Sequence, residues 1–134
     1  MAIVRSDQLD LREETQVVRV RQVVREWASK MGFSLVEQTK LVTAASEIAR
    51  NTVIYGGGGT AEIASLEDNG KRGLQLRFVD QGPGIPDITL ALRDGYTTGG
   101  GLGLGLSGAK RLVHEMTIDS TPGAGTRVTM IRWK

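Results

Sequence analysis

The stretch "TTGGGLGLGLSGAKRL", Thr97 to Leu112, places six glycines in the ten positions from Gly99 to Gly108 and then stops being glycine-rich. Glycine loses more conformational freedom on folding than any other residue, so such a run is unfit for the interior of a helix or a strand. It has to connect elements. Leu106, Ala109, Leu112, Val113 and Met116 then recur at helical spacing, which predicts a helix directly after the run. Glycines ahead of a helix N-terminus let backbone N–H groups approach phosphate oxygens, and the helix dipole favours the negative charge. Lys110 and Arg111, expected in the first turns, would add to it. A hinge or surface loop accounts for the same segment, and the rest of the chain must decide between them.

Three common glycine motifs fail on context. "GLGLSG", Gly103 to Gly108, satisfies G-x-G-x-x-G, but no strand precedes it and no acidic residue stands about 20 positions beyond it. The phosphate loop G-x-x-x-x-G-K-[ST] is missing, since Lys110 follows an alanine. A protein-kinase glycine loop would need V-A-I-K, H-R-D and D-F-G, and the chain has none of them.

The flanking pattern supplies the other elements. "VVRVRQVVREWASKM", Val17 to Met31, carries Val17, Val20, Val24, Trp27, Ala28 and Met31 at helical spacing and ends at Gly32, with Trp27 and Met31 read as core. Ser34 and Glu37 form an S-x-x-E capping box for a second helix, which runs to about Tyr55 before "GGGG", Gly56 to Gly59, ends it. On that helix Leu41, Ala45, Ile48 and Thr52 form one stripe, and Thr43, Glu47, Arg50 and Asn51 another. Strands are predicted over 61–66, 74–79 and 127–133, with further ones at 116–120 and 3–11. Asn69-Gly70 marks a hairpin between the first two, with "EDNGKRG" suggesting a loop longer than two residues. With 134 residues the chain has length for one core, so residues 1–134 are expected to form one domain. The order of elements predicts an α+β architecture, a mixed and mostly antiparallel sheet covered on one face by helices.

Two further segments carry chemistry. In "VDQGPGIPD", Val79 to Asp87, a carboxylate at a strand end is followed by two glycines and a proline. Asp80 there is either a plain turn former or an acceptor for a flat ligand that Gly82 and Gly84 allow against the backbone. In "SEIARN", Glu47 and Asn51 stand one turn apart, a spacing that suits a hard cation keeping most of its waters, as magnesium on a nucleotide does. The plainer account is a solvated helix face with Glu47 paired to Arg50.

Composition narrows the class. A net charge of +2 and scattered basic residues without aromatic interleaving give no nucleic-acid signature. The absence of cysteine removes disulfides and thiolate metal sites. The N-terminal segment has no apolar signal core, and no apolar run reaches the roughly 18–20 residues that cross a bilayer, so no membrane role and a cytoplasmic location are expected.

Taken together, "SEIARN" resembles the N box, "DQGPGI" the G1 box and "GGGLGLGL" the G2 box of the GHKL superfamily, which includes gyrase B, Hsp90, histidine kinases and MutL. "TPGAGT", Thr121 to Thr126, is similar to its closing Gly-x-Gly-Thr segment. Order and spacing agree across most of the chain. A domain this small with "DQGPGIPD", "DGYTTGGGLGLGL" and "GAKRL" looks most like the anti-sigma regulatory serine/threonine kinases of the RsbT type, the stressosome switch kinases. The resemblance implies a Bergerat ATP-binding fold using ATP and Mg2+. By the same resemblance Asn51 would ligate magnesium and Glu47 would orient or deprotonate the attacking hydroxyl. Asp80 would hold the adenine amino group, Gly82, Gly84 and Ile85 would line the base pocket, and Thr126 would support Asp80 and the base. Gly101, Gly103 and Gly105 would form the phosphate-facing lid, and Leu102, Leu104 and Leu106 would belong to the ATP-binding residues with them.

The implied activity is ATP-dependent phosphorylation of serine or threonine on STAS-domain partners of the RsbS/RsbR kind, with a second role in binding an RsbU-like phosphatase. The alternative is an anti-sigma factor of the RsbW or SpoIIAB type that sequesters a sigma factor. His114-Glu115 resembles a histidine-kinase phosphoacceptor pair but follows the nucleotide motifs, and His114 is read as a surface histidine off the apolar stripe of its helix.

Overall fold

The computed structural model describes residues 2–85, 92 and 105–134. Five strands, β1 (Ala2–Leu11), β2 (Gly59–Asp68), β3 (Lys71–Asp80), β4 (Glu115–Thr121) and β5 (Gly125–Trp133), form one sheet in the order β1-β2-β3-β5-β4. Among the described residues three helices accompany it: α1 (Glu14–Lys30), α2 (Leu35–Ile54) and α3 (Leu106–Arg111).

Each helix boundary has a local cause. The carboxamide oxygen of Gln16 accepts from Glu13 N–H at 3.2 Å, which caps α1 three residues ahead of the predicted start. At its other end Gly32 takes φ +85°, and Phe33 N–H returns to the Ala28 carbonyl at 3.0 Å. The predicted capping box of α2 is present: Ser34 Oγ accepts from Glu37 N–H at 3.1 Å, and the Glu37 carboxylate accepts from Ser34 N–H at 3.2 Å.

Every described ladder is antiparallel, whereas a mixed sheet was expected. The path from β3 through α3 to β4 does make those two strands parallel. β5 then inserts between them, so no parallel pair bonds. The β2–β3 hairpin is also tighter than expected, with a two-residue turn at Asn69 (φ 51°) and Gly70 (φ 82°), the positive pair that a type I′ turn requires.

The core lies on one face of the sheet. Ile63, Leu74, Leu76, Phe78, Val128 and Met130 meet Val17, Val20 and Val24 of α1 and Leu41, Ala45 and Ile48 of α2. All four residues of the expected α2 stripe are buried, Thr52 included, and its hydroxyl donates to the Ile48 carbonyl at 3.0 Å. Met31 is buried as read, while Trp27 is only half-buried, with the Arg5 guanidinium 5.2 Å from its ring centre.

The helix expected through Met116 is six residues long. The sheet captures the backbone beyond it: Arg132 donates to the Leu112 carbonyl at 3.0 Å, and His114 N–H donates to the Ile131 carbonyl at 3.0 Å. Consequently Lys110 and Arg111 occupy the last turn of α3, not its first turns, and both are exposed. His114 sits in the connection to β4, exposed, with Nδ1 accepting from Trp133 N–H at 2.8 Å.

Candidate functional site

The C-terminal half of α2 stands over the ends of β3 and β5, and a narrow cleft opens between them. α2 contributes Ile48, Asn51, Thr52 and Tyr55; β3 contributes Phe78 and Asp80; Ile85, Leu106, Thr126 and Val128 complete the lining. Apolar walls with a few convergent polar groups are what a bound small molecule requires. Five residues singled out from the sequence, Asn51, Asp80, Ile85, Leu106 and Thr126, therefore meet in one place.

Asp80 is fixed from two sides. Gly82 N–H donates to its Oδ1 at 2.9 Å, which orients the carboxylate as the chain turns out of β3. Behind it lies Gly56, where a Cβ would overlap the Asp80 carboxyl carbon. Across the ladder Asp80 pairs with Thr126, so both side chains stand on the cleft face of the sheet.

The glycines after Asp80 serve the chain itself. A Cβ at Gly82 would lie 2.7 Å from the Gly56 backbone, and one at Gly84 (φ +78°) would lie 2.5 Å from the Thr121 carbonyl oxygen. At both positions backbone occupies the place that a side chain would take. They bring the loop after β3 against the β4–β5 turn, where Gly123 N–H donates to the Pro83 carbonyl at 2.7 Å.

Glu47 stands at the rim. A Cβ at Gly105, whose φ of +64° already favours glycine, would lie 2.5 Å from Glu47 Oε2. The carboxylate thus abuts the residue that opens α3, one turn of α2 from Asn51. Arg50, the suggested partner of Glu47, has its Nε 3.8 Å from Glu14 Oε1 on α1. Among the described residues no group of three or more His, Asp and Glu side chains gathers to hold a metal ion. Glu47 and Asn51 can offer a hard cation two oxygens, with water or phosphate supplying the remainder. Gly101, Leu102, Gly103 and Leu104 lie outside the described residues, as does Asp87.

Two contributors escaped the sequence reading. Ser120 Oγ accepts from Ile85 N–H at 2.7 Å and lies 2.9 Å from Thr126 Oγ1, joining the loop after β3 to β5. Nothing in "DSTPGAGT" distinguishes this serine from its threonine neighbours. Gly56 was read only as part of a helix stop. Four consecutive glycines exceed what a helix C-terminus needs, and that surplus was the available signal.

A family model for the histidine kinase-like ATPase domain matches residues 11–132. The chain is 46% identical over 120 residues to the serine/threonine-protein kinase RsbT of Bacillus subtilis (strain 168), covering 90% of each chain. It is 29% identical over 118 residues to an anti-sigma F factor of Thermoanaerobacter sp. (strain X514), covering 84% of this chain and 82% of that one. In three dimensions it is similar to a crystal structure of RsbU and RsbW domains from Mycobacterium tuberculosis, with a TM-score of 0.64 at 21% identity over 98% of this chain and 33% of that one. Asp80, Thr126 and Asn51 face their cleft from within the matched segment. The chain belongs to the histidine kinase-like ATPase domain family.

Proposed function

We propose that this protein is an ATP-dependent serine/threonine kinase of a partner-switching module, built as a single domain over residues 1–134. The observation that carries the reading is the cleft between α2 and the sheet, which gathers Asn51, Asp80 and Thr126 in a chain 46% identical to RsbT over 90% of its length.

The Asp80 carboxylate, held by Gly82 N–H, accepts a hydrogen bond from the exocyclic amino group of adenine. Thr126 stands beside it, and Ile48, Phe78, Ile85 and Val128 offer the base an apolar slot. Magnesium neutralises phosphate charge when bound, and the Asn51 carboxamide oxygen is the group that would ligate it. Glu47, at the rim, takes the proton of the incoming serine or threonine hydroxyl. The Oγ–Pγ bond then forms as the bond from Pγ to the β–γ bridging oxygen breaks, leaving ADP. Gly101, Gly103 and Gly105 belong to the phosphate-facing lid in this reading.

The partners in this reading are STAS-domain proteins of the RsbS/RsbR kind as substrates and an RsbU-like phosphatase as a second target, in a cytoplasmic setting. Among the described residues no helix is long and apolar enough to cross a membrane. The test is phosphate transfer from γ-labelled ATP with magnesium to a STAS-domain protein, comparing wild type with Asp80→Asn and Glu47→Ala. Transfer to serine or threonine that both substitutions abolish supports the reading. ATP binding without transfer would leave a nucleotide-gated binding module, and absence of ATP binding would sink the assignment.

The anti-sigma F relatives favour a second reading, capture of a sigma factor. A pull-down separates the two: sigma capture supports the second, and capture of a STAS protein or phosphatase without sigma supports the first.

A further inference from the structure

An antiparallel sheet with helices on one face normally turns polar side chains to water on the other. The open face of this sheet departs from that rule at its centre. Ala64 and Leu66 of β2, Gln75 of β3 and Ile131 of β5 are buried, although they point away from the helices and the three apolar ones stand apart from the core cluster. Trp133 lies beside them with its ring against Gly73, where a Cβ would meet Cε3 at 2.6 Å, and its indole N–H donates to Glu115 Oε2 at 2.6 Å. Arg77, Thr117 and Thr129 share a shallow depression with Gln75.

Gln75 stands at the middle of β3, the central strand, and its buried Nε2 has no hydrogen-bond partner among the described residues. An unmet buried donor is costly. A carboxamide is complementary to itself, since it carries both donors and acceptors. On a twofold axis a residue meets its own copy. An axis along β3 therefore lets two Gln75 amides, turned about their last bonds, exchange N–H···O bonds.

The rest of the face fits the same axis. It exchanges β2 with β5 and β1 with β4, so the ladder register sets Leu66 over Trp133 of the other copy, Ala64 over Ile131 and Gln8 over Thr117. Glu62 lands over Thr129, one strand from the other copy's Arg77. Within the chain Arg77 gives its Nε to Thr129 Oγ1 at 3.3 Å, and among the described residues no ion pair joins it to its ladder neighbour Glu62. Five strands about 4.8 Å apart, with about seven residues each in common, offer about 600 Å² per copy, so a pair buries about 1,200 Å², above the roughly 1,000 Å² of a specific interface. We propose that this face is an interaction surface for a second copy of the chain, which forms a face-to-face dimer about an axis along β3. The cleft lies on the helix side, so both sites stay open.

Sedimentation velocity without nucleotide tests this independently of the kinase reading. Wild type is expected to pass from monomer to dimer between about 1 and 100 μM, the range of small interfaces. Arg77→Glu and Glu62→Arg each set like charges against one another across the axis, and each should weaken association at least about ten-fold. Their equimolar mixture sets opposite charges at every such contact and should dimerise at least as well as wild type.

A chain that stays monomeric throughout that range leaves the face to solvent or to a different protein, and overturns the proposal. So does a dimer indifferent to both substitutions, which uses another surface. A mixture that stays dissociated overturns it as well, because each change then only disturbs its own sheet. If either variant lacks the wild-type circular dichroism, cross-linking decides. The chain has no cysteine, so Gln8→Cys and Thr117→Cys, both at exposed positions, can be joined by a bismaleimide of about 10 Å, the spacing of packed sheets. A cross-linked dimer is expected from the two variants mixed and from neither alone, since two copies of either position lie about 20 Å apart. No product from the mixture, or equal product from a single variant, counts against the proposal.

Discussion

At the scale of single residues, Asp80 carries the most argument and gives the sharpest expectation. Asp80→Asn keeps an oxygen for Gly82 N–H but can turn an amide donor toward the adenine amino group. ATP affinity is expected to drop at least ten-fold, about 1.5–3 kcal/mol for a lost bond to a charged acceptor, with the unfolding midpoint without ligand barely changed. An affinity within two-fold of wild type would remove Asp80 from the base pocket. Gly56→Ala tests the wall behind it. The new Cβ must displace the Asp80 carboxylate or the loop at Gly82, so stability is expected to fall by about 1–3 kcal/mol and ATP affinity with it. A variant stable in urea titration and normal in ATP binding would contradict that packing. Asp80 was singled out as a carboxylate at a strand end ahead of two glycines, and Thr126 only through the resemblance of "TPGAGT" to a closing Gly-x-Gly-Thr segment. Gly56 and Ser120 were not, because each matters through an atom brought to it from about 24 or 35 residues away along the chain, and no local pattern records such a meeting.

At the scale of elements, α2 is the one that both positions the site and anchors to the sheet. Its N-terminal Glu37 carboxyl is held below the ordinary glutamate value of 4.5, first by the Ser34 backbone N–H. Burial opposes this shift, while the Ser34 hydroxyl, Arg132 and Lys134 reinforce it. A carboxyl lowered in the folded state adds stability that is complete above its unfolded value and is lost as pH falls through the folded one. Urea midpoints taken between pH 6 and pH 3 should therefore decline more steeply in wild type than in Glu37→Gln, and parallel curves would show that the cap is not charge-dependent. Ser34→Ala should cost about 1 kcal/mol at pH 6, since it removes the partner of Glu37 N–H. The capping box was readable because it is local, four residues long and made of side chains with a single role. The end of α3 was not. Val113 and Met116 continue the helical spacing, yet both reach the core from the connection and from β4, where hydrogen bonds to β5 outweigh one more helical turn.

At the scale of the whole molecule, one layer of helices covers one face of one antiparallel sheet, and the cleft is where the layers part. The α+β class was legible from the order of periodicities, but the insertion of β5 between β3 and β4 was not, because strand order depends on pairings between residues some 50 positions apart. The same geometry sets the last expectation. A ligand seated between α2 and the ends of β3 and β5 touches elements from both halves of the chain, so it binds the folded state and not its separate pieces. Linkage then stabilises the fold by about 2.7 kcal/mol at a hundred times the dissociation constant. For a domain of this size that is a rise in melting temperature of roughly 10 °C. Thermal scans with ATP and magnesium should show the rise in wild type and a much smaller one in Asp80→Asn at the same ligand concentration. If both proteins rise alike, the ligand is held by its phosphates away from Asp80, and the adenine slot between α2 and the sheet is not where the base binds.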